Sequence, residues 1–301
     1  MITDRLYNSR WGVFNHYLYG TMMDSSIRSW NECVDMFDCS LVAQQLHDVG
    51  ASYLFITLMQ GDEHMIAPNS AFDKIAGTKP GEACSERDLV DDLYRELEKY
   101  GIDLYLYYTG DGPYKNASIG RRFGFIEPRK NVSMEFVLKW AEVLREYAVR
   151  YGDKVKGWWV DGCYREYFGY NDELLEPYYD AIKDGNPDAV CAFNNGVKPE
   201  LEKNYKNEDF VCGEFNDFTY IPESRFIDGA QAHILAPLGL SPDGNPYGGW
   251  CRPGTKHDGA YMCDYVRRVN GAGGVVTIDI PVKKDGTYYA DQLKVLKEIN
   301  A

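Results

Sequence analysis

Two acids in this chain stand where a buried strand would hand a carboxylate to a pocket. Lys154 to Tyr170 reads Lys-Val-Lys-Gly-Trp-Trp-Val-Asp-Gly-Cys-Tyr-Arg-Glu-Tyr-Phe-Gly-Tyr, so the apolar run Gly157 to Val160 stops at Asp161 and Gly162, with aromatic residues beyond. That is the pattern of a strand apolar inside its sheet, an acid at its end and a glycine that lets the chain turn. Phe210 to Gly213 ends in the same way, at Glu214. Two carboxyl groups at one mouth can share the cleavage of a glycosidic bond, one ionised to attack or activate water, the other protonated to release the leaving oxygen. A retaining mechanism needs them about 5–5.5 Å apart, an inverting one about 6.5–9.5 Å. The plainer roles are an Asp-Gly turn or a bridge to Arg165 for Asp161, and a bridge to a basic residue at the rim for Glu214.

Around this pair stand residues able to bind hydroxyl groups or sugar faces. His16 either hydrogen-bonds a hydroxyl or rests satisfied inside the fold. Gln60 and Asp62 lie on a long loop, and Asn194 and Asn195 serve either as hydroxyl ligands or as turn residues. Trp250, in Tyr247-Gly-Gly-Trp-Cys251, suits a sugar platform or a loop anchor. Trp158 and Trp159 point to opposite sides of one strand, so at most one faces its interior. Other chemistries have less behind them. The five histidines form no His-Glu-x-x-His or His-x-His set, which disfavours a dedicated zinc site. Cys163 has no histidine neighbour in sequence, and no Gly-x-Ser-x-Gly elbow, Gly-x-Gly-x-x-Gly or Walker loop is present. No cofactor is expected.

The elements that must position these groups alternate. Strands are expected at Trp11 to His16, Tyr53 to Thr57, Asp103 to Tyr107, Gly157 to Val160, Val190 to Phe193, Phe210 to Gly213, Ala230 to Leu235 and Gly274 to Ile280. Between them the spacing predicts helices: Leu41 to Val49 capped by Ser40, Glu86 to Tyr100 capped by Ser85, Ser133 to Tyr151, one around Tyr178 to Lys183, a weaker one at Lys198 to Tyr205, Asp258 to Val269 and Ala290 to Ile299. Loops 58–84, 109–131 and 236–257 are too long for plain connections. Eight strands alternating with helices over 301 residues favour a single closed (β/α) barrel of the TIM type spanning 1–301. In that fold the strand ends share one face, gathering His16, Asp161, Asn194, Asn195 and Glu214, with Asp62 and Asp111 reaching in from loops.

The whole chain narrows the partners. A net charge of -14 without a basic stripe opposes binding to a polyanion, so no nucleic-acid partner is expected. No run approaches the roughly 18 apolar residues of a membrane span, and the N-terminus has no apolar leader core, so the expectation is a cytoplasmic chain. Eight cysteines without a Cys-x-x-Cys pair read as buried free thiols.

Several short segments, in order, resemble glycoside hydrolase family 29, the α-L-fucosidases. Gly12-Val-Phe-Asn-His-Tyr17 is similar to that family's Gly-x-Phe-x-His-Trp-Gly strand, Gly50-Ala-Ser-Tyr53 to its Gly-Ala-Lys-Tyr, Tyr107-Tyr108-Thr109 to its Tyr-Tyr-Ser and Trp159-Val-Asp161 to its Trp-x-Asp; Gly273-Gly274 to Gly286 resembles its closing Gly-Gly-Asn segment. The resemblance implies a catalytic barrel with Asp161 as nucleophile and His16 at a sugar-contacting position; Tyr108 is a further candidate ligand, and the C-terminal β-sandwich often found in the family is not expected here. Leu58-Met59-Gln60-Gly61-Asp62 stands where the family has Lys-His-His-Asp-Gly, and Gln231-Ala-His-Ile-Leu235 carries no acid where a late glutamate is usual. The expectation is an exo-acting retaining glycosidase for a terminal sugar other than, or less strictly than, fucose. Its rivals are an inactive carbohydrate-binding barrel and a barrel isomerase or metal-assisted hydrolase using Asp62, Glu214 and His233.

Overall fold

The computed structural model describes residues 1–125, 130–245 and 248–300. Tyr247, next to the Gly248-Gly249-Trp250 run, and part of the 109–131 loop lie outside the described residues. Among the described residues nine strands follow one another: β1 Trp11–Asn15, β2 Tyr53–Thr57, β3 Asp103–Thr109, β4 Val155–Asp161, β5 Val190–Phe193, β6 Phe226–Ile227, β7 Ala230–Gln231, β8 His233–Pro237 and β9 Val275–Asp279. Strands β6 and β7 pair as a separate antiparallel hairpin, and the other seven form one parallel sheet in the order β5-β4-β3-β2-β1-β9-β8. Helices between the strands cover its outer side, as parallel pairing requires.

The sheet curls until one segment meets both of its edges. Asp209 N donates to Cys191 O of β5 (2.9 Å), Leu235 N of β8 donates to Gly213 O (2.8 Å), and Phe215 N donates back to Leu235 O (2.9 Å). The expected sixth strand, Phe210 to Gly213, is therefore not a regular strand but an extended stave with isolated bridges at Phe210–Gln231 and Glu214–Leu235. The cause is Gly213. Its φ is +58°, and a Cβ there would sit 1.8 Å from His233 O, so the chain bends into contact with β8 at a point only glycine allows. The curled seven-stranded sheet with this stave takes the place of the eight regular strands expected.

Strand alternation makes two cores. Phe14, Tyr53, Phe55, Tyr105, Tyr107, Trp159, Val190, Phe210, Leu235 and Val275 fill the inside of the curl, and Leu6 closes one end. Trp140, Trp158, Tyr108, Leu54, Leu104 and their neighbours pack between sheet and helices. Trp158 and Trp159 divide between these cores as their parity demands. Ser133 caps the helix Met134–Tyr151, and Asp38 and Asp88, not Ser40 and Ser85, cap Cys39–Val49 and Leu89–Glu98. The helix around Tyr178 runs over Asp172–Gly185 with Pro177 inside it. Lys198 to Tyr205 is not helical: Glu208 Oε1 takes the Asn204 N–H, and Asn204 Nδ2 is spent on Phe193 O and Cys163 O.

Candidate active site

Asp161 is the last residue of β4, and Gly162 after it turns the chain at φ +69°. Donors converge on this carboxylate from three directions. Tyr107 Oη donates to Oδ2 (2.7 Å), Asn194 Nδ2 to Oδ1 (2.8 Å), Tyr164 Oη to Oδ1 (3.3 Å) and Gln60 Nε2 to Oδ2 (3.5 Å). Tyr107 sits on β3 two residues before Thr109, the register partner of Asp161. Burial, with the Asp161 charge beside it, lifts the Tyr107 phenol well above its ordinary range. Tyr164 is raised first by the Asp161 charge and then by burial. Both remain donors at any working pH.

Asn194 follows β5 directly and ties the two acids together. Its Nδ2 donates to Glu214 Oε2 (2.6 Å) as well as to Asp161 Oδ1. Because both bonds share one nitrogen, those two oxygens lie no more than about 5.4 Å apart. Burial, and then the Asp161 charge, push Glu214 up to about 7, against the opposing influence of the Asn194 bond and of His16. Glu214 is thus largely protonated just below neutral pH.

His16 lies beyond the end of β1. Its Nδ1 donates to Asp279 Oδ1 (2.7 Å) at the end of β9, and its ring is 6.0 Å from Trp250 and 6.2 Å from Tyr107. Burial opposes a charge on His16, but Cys251 and Asp279 outweigh it and hold the imidazole well above its usual range. Trp250 packs against the inner core and approaches Asn216 Oδ1 through its indole nitrogen (3.5 Å).

Other expected residues are placed elsewhere. Tyr108 faces the helices, fully buried, with its hydroxyl on Trp140 O (2.9 Å), so the β3 residue at the acids is Tyr107. Asp62 Oδ1 accepts from His64 N (2.8 Å) within its own loop, and Asp111 accepts from the Thr109 hydroxyl. Asn195 holds Arg165 N (2.9 Å) and Glu202 (2.9 Å). Arg165 itself pairs with Asp172, not with Asp161. His233 is buried among Val211 O, Cys212 O (3.0 Å) and Thr277 Oγ1 (2.6 Å), and burial lowers it to about 4. It does not join Asp62 and Glu214. Among the described residues, the one His/Cys/acid group of metal-ligand type is His16, Cys251 and Asp279, whose donor atoms lie within 4.8 Å of one another. Sequence reasoning missed Asp279 because the strand was drawn on to Ile280; Val275-Val-Thr-Ile-Asp279 is the same apolar run ending in an acid as the one before Asp161.

No family model matches the chain, and no curated protein matches it. Solved structures do. An endo-fucoidan hydrolase of glycoside hydrolase family 107 superposes with a TM-score of 0.72 at 15% identity over 99% of this chain. The α-L-fucosidase AlfC from Lactobacillus casei and a family 29 α-L-fucosidase from Bacteroides thetaiotaomicron each give 0.67 at 15% identity, again over 99% of this chain. This chain shares its fold with these glycoside hydrolases. The likeness extends to two families, so the resemblance to family 29 narrows to this shared fold. The chain covers 63% of the family 107 hydrolase, 96% of AlfC and 72% of the Bacteroides enzyme. Among the described residues no helix is long and apolar enough to cross a membrane.

Proposed function

We propose that the chain is a retaining glycoside hydrolase that releases a terminal sugar, with Asp161 as nucleophile and Glu214 as acid/base. The observation that carries this reading is the Asn194 amide bridging both carboxylates, whose closeness supports a short-spaced, retaining pair over a wide-spaced, inverting one. Asp161 attacks the anomeric carbon while Glu214, protonated at about neutral pH, gives its proton to the leaving oxygen. The glycosyl–Asp161 ester then meets water, and Glu214, now ionised, takes the water's proton. Tyr107 and Tyr164 hold the Asp161 oxygens in line for attack. His16, Gln60 and Trp250 line the space where the sugar sits; Asp62 remains a candidate from the adjoining loop. A binding protein without turnover has no use for a carboxyl raised to about 7 beside a second acid, which favours the enzyme over the inactive barrel.

The test is hydrolysis of aryl α- and β-glycosides, α-L-fucoside included, and of fucose-containing polysaccharide, by wild type, Asp161→Asn and Glu214→Gln. One aryl glycoside is expected to be cleaved with retention, read by proton NMR. Asp161→Asn should abolish turnover. Glu214→Gln should lose about 10²–10⁴-fold on substrates with poor leaving groups and regain rate with azide. Cleavage of polymer with no action on aryl glycosides would replace the exo assignment by an endo one. Unchanged turnover in Asp161→Asn would remove the mechanism.

A further inference from the structure

His16 faces the acids on one side and, on the other, a cavity of about 310 Å³ whose wall includes Cys251, Lys283, Lys284 and Tyr289. Cys251 is half-buried there, with its thiol within 4.8 Å of the ligand atoms of both His16 and Asp279. Its backbone adopts φ +57°, a conformation that L residues with a side chain rarely take, and its N–H is held by Asp279 Oδ2 (3.0 Å). One carboxylate therefore fixes both the cysteine backbone and the imidazole beside the thiol. A thiol beside a carboxylate-held imidazole is a nucleophile next to its proton partner, and the cavity that opens onto them is walled by Lys283 and by Lys284, which pairs with Asp24 (2.7 Å). The other cysteines lack it. Burial pushes up the thiols of Cys33, Cys39, Cys84, Cys163, Cys191 and Cys212, and Cys263 lies on the helix Gly259–Gly271, outside this cluster.

We propose that Cys251 is a covalent modification site that takes thiophilic electrophiles, with disulfides of low-molecular-weight thiols as its natural class. The Cys251 thiolate attacks one sulfur of the disulfide, a new S–S bond to Cys251 forms, and the original S–S bond breaks. The departing thiolate takes up the proton that Cys251 passed to His16, and an excess of free thiol reverses the exchange. A zinc ion is the other occupant such residues suggest. However, His16 Nδ1 and Asp279 Oδ1, 2.7 Å apart, are hydrogen-bonded and closer than two ligands of one tetrahedral zinc, which at bond lengths of about 2.0–2.1 Å sit roughly 3.3 Å apart.

The experiment exposes the native protein to limiting iodoacetamide and, separately, to glutathione disulfide, and follows all eight cysteines by peptide mass spectrometry. Cys251 is expected to react at least tenfold faster than Cys263, the other half-buried thiol, and its glutathione adduct to be removed by dithiothreitol. In His16→Gln, shown to be folded by circular dichroism, the Cys251 rate should fall at least fivefold. A Cys251 rate no greater than that of Cys263 in the wild type overturns the proposal without recourse to any variant. So does an unchanged rate in folded His16→Gln, or a thiol that reacts only after a chelator has removed a bound metal. Hydrolysis is not the readout, so the result stands whether or not the glycosidase reading holds.

Discussion

Asn194 divides one amide between two acids to which the proposed mechanism gives opposite roles, and its removal therefore has a signed consequence. Its N–H favours the ionised form of Glu214, so Asn194→Ala should raise Glu214 above about 7. The acid step needs Glu214 protonated. In the wild type kcat/KM should hold up to about pH 7 and fall above it, and in the variant that alkaline limb should move upward. With one positioned donor lost, kcat should drop about 10²-fold. A pH profile with its limb unmoved would separate Asn194 from Glu214. The two acids themselves were legible because each ends an apolar run at a glycine boundary. Tyr107 was not: Tyr107 and Tyr108 are chemically alike, and which one faces the acids depends on a parity that only the register of β3 against β4 settles.

Elements hold these groups through contacts with little slack. Gly157 on β4 lies between β3 and β5, where an added Cβ would meet Val190 O at 2.6 Å and the Tyr105 ring at 2.8 Å. Gly157→Ala should cost about 1–3 kcal/mol and lower the urea midpoint at an unchanged m-value. A midpoint equal to wild type would mean that β4 and β5 part easily. At this scale Tyr53 to Thr57 and Val190 to Phe193 were read to the residue, since apolar runs bounded by glycine and polar residues mark both ends, while β3 ends two residues later than expected, β4 begins two residues earlier and Ala230 to Leu235 divides into β7 and β8. Helix starts were less legible where two capping residues compete. Ser40 and Ser85 are good caps, but Asp38 and Asp88 reach the free N–H groups of Leu41 and Asp91 first. The missing helix at Lys198 to Tyr205 could not be foreseen locally, because the groups that replace its hydrogen bonds come from Glu208 and from distant backbone carbonyls.

For the molecule as a whole, the carboxyl groups carried inside set the response to pH. Burial pushes Glu208 up to about 8, although Asn204 N and Phe193 N donate to it, and Glu214 stands at about 7. Both exceed the ordinary value of 4.5. The folded state then holds protons that the unfolded chain has released, so this stability is complete below about pH 4.5 and is lost as pH rises through 7 and 8. The thermal midpoint should fall between pH 6 and 8.5. Glu208→Gln, less stable throughout because its amide cannot accept both backbone N–H groups, should show a flatter slope. A midpoint that rises over this interval would contradict the assignment. Apolar runs alternating with helices pointed to a closed eight-stranded barrel, and the parallel α/β architecture is there, but the bend at Gly213 that leaves seven strands and a stave depends on the nearness of β8, which no local pattern records.

That bend bears on how such a protein can change over evolutionary time. The stave 209–215 carries the acid/base candidate yet is tied to its neighbours by isolated bridges instead of a continuous ladder. A one-residue insertion in a laddered strand turns every side chain beyond it to the other face, whereas a stave pinned at a few points absorbs the slip in its kink. On the proposed mechanism the acid/base is therefore mounted on a segment that can take up a change of length, and the nucleophile on a continuously laddered strand. A one-residue insertion within 209–215 is therefore expected to be absorbed locally, whereas one within β4 would turn Asp161 away from Asn194.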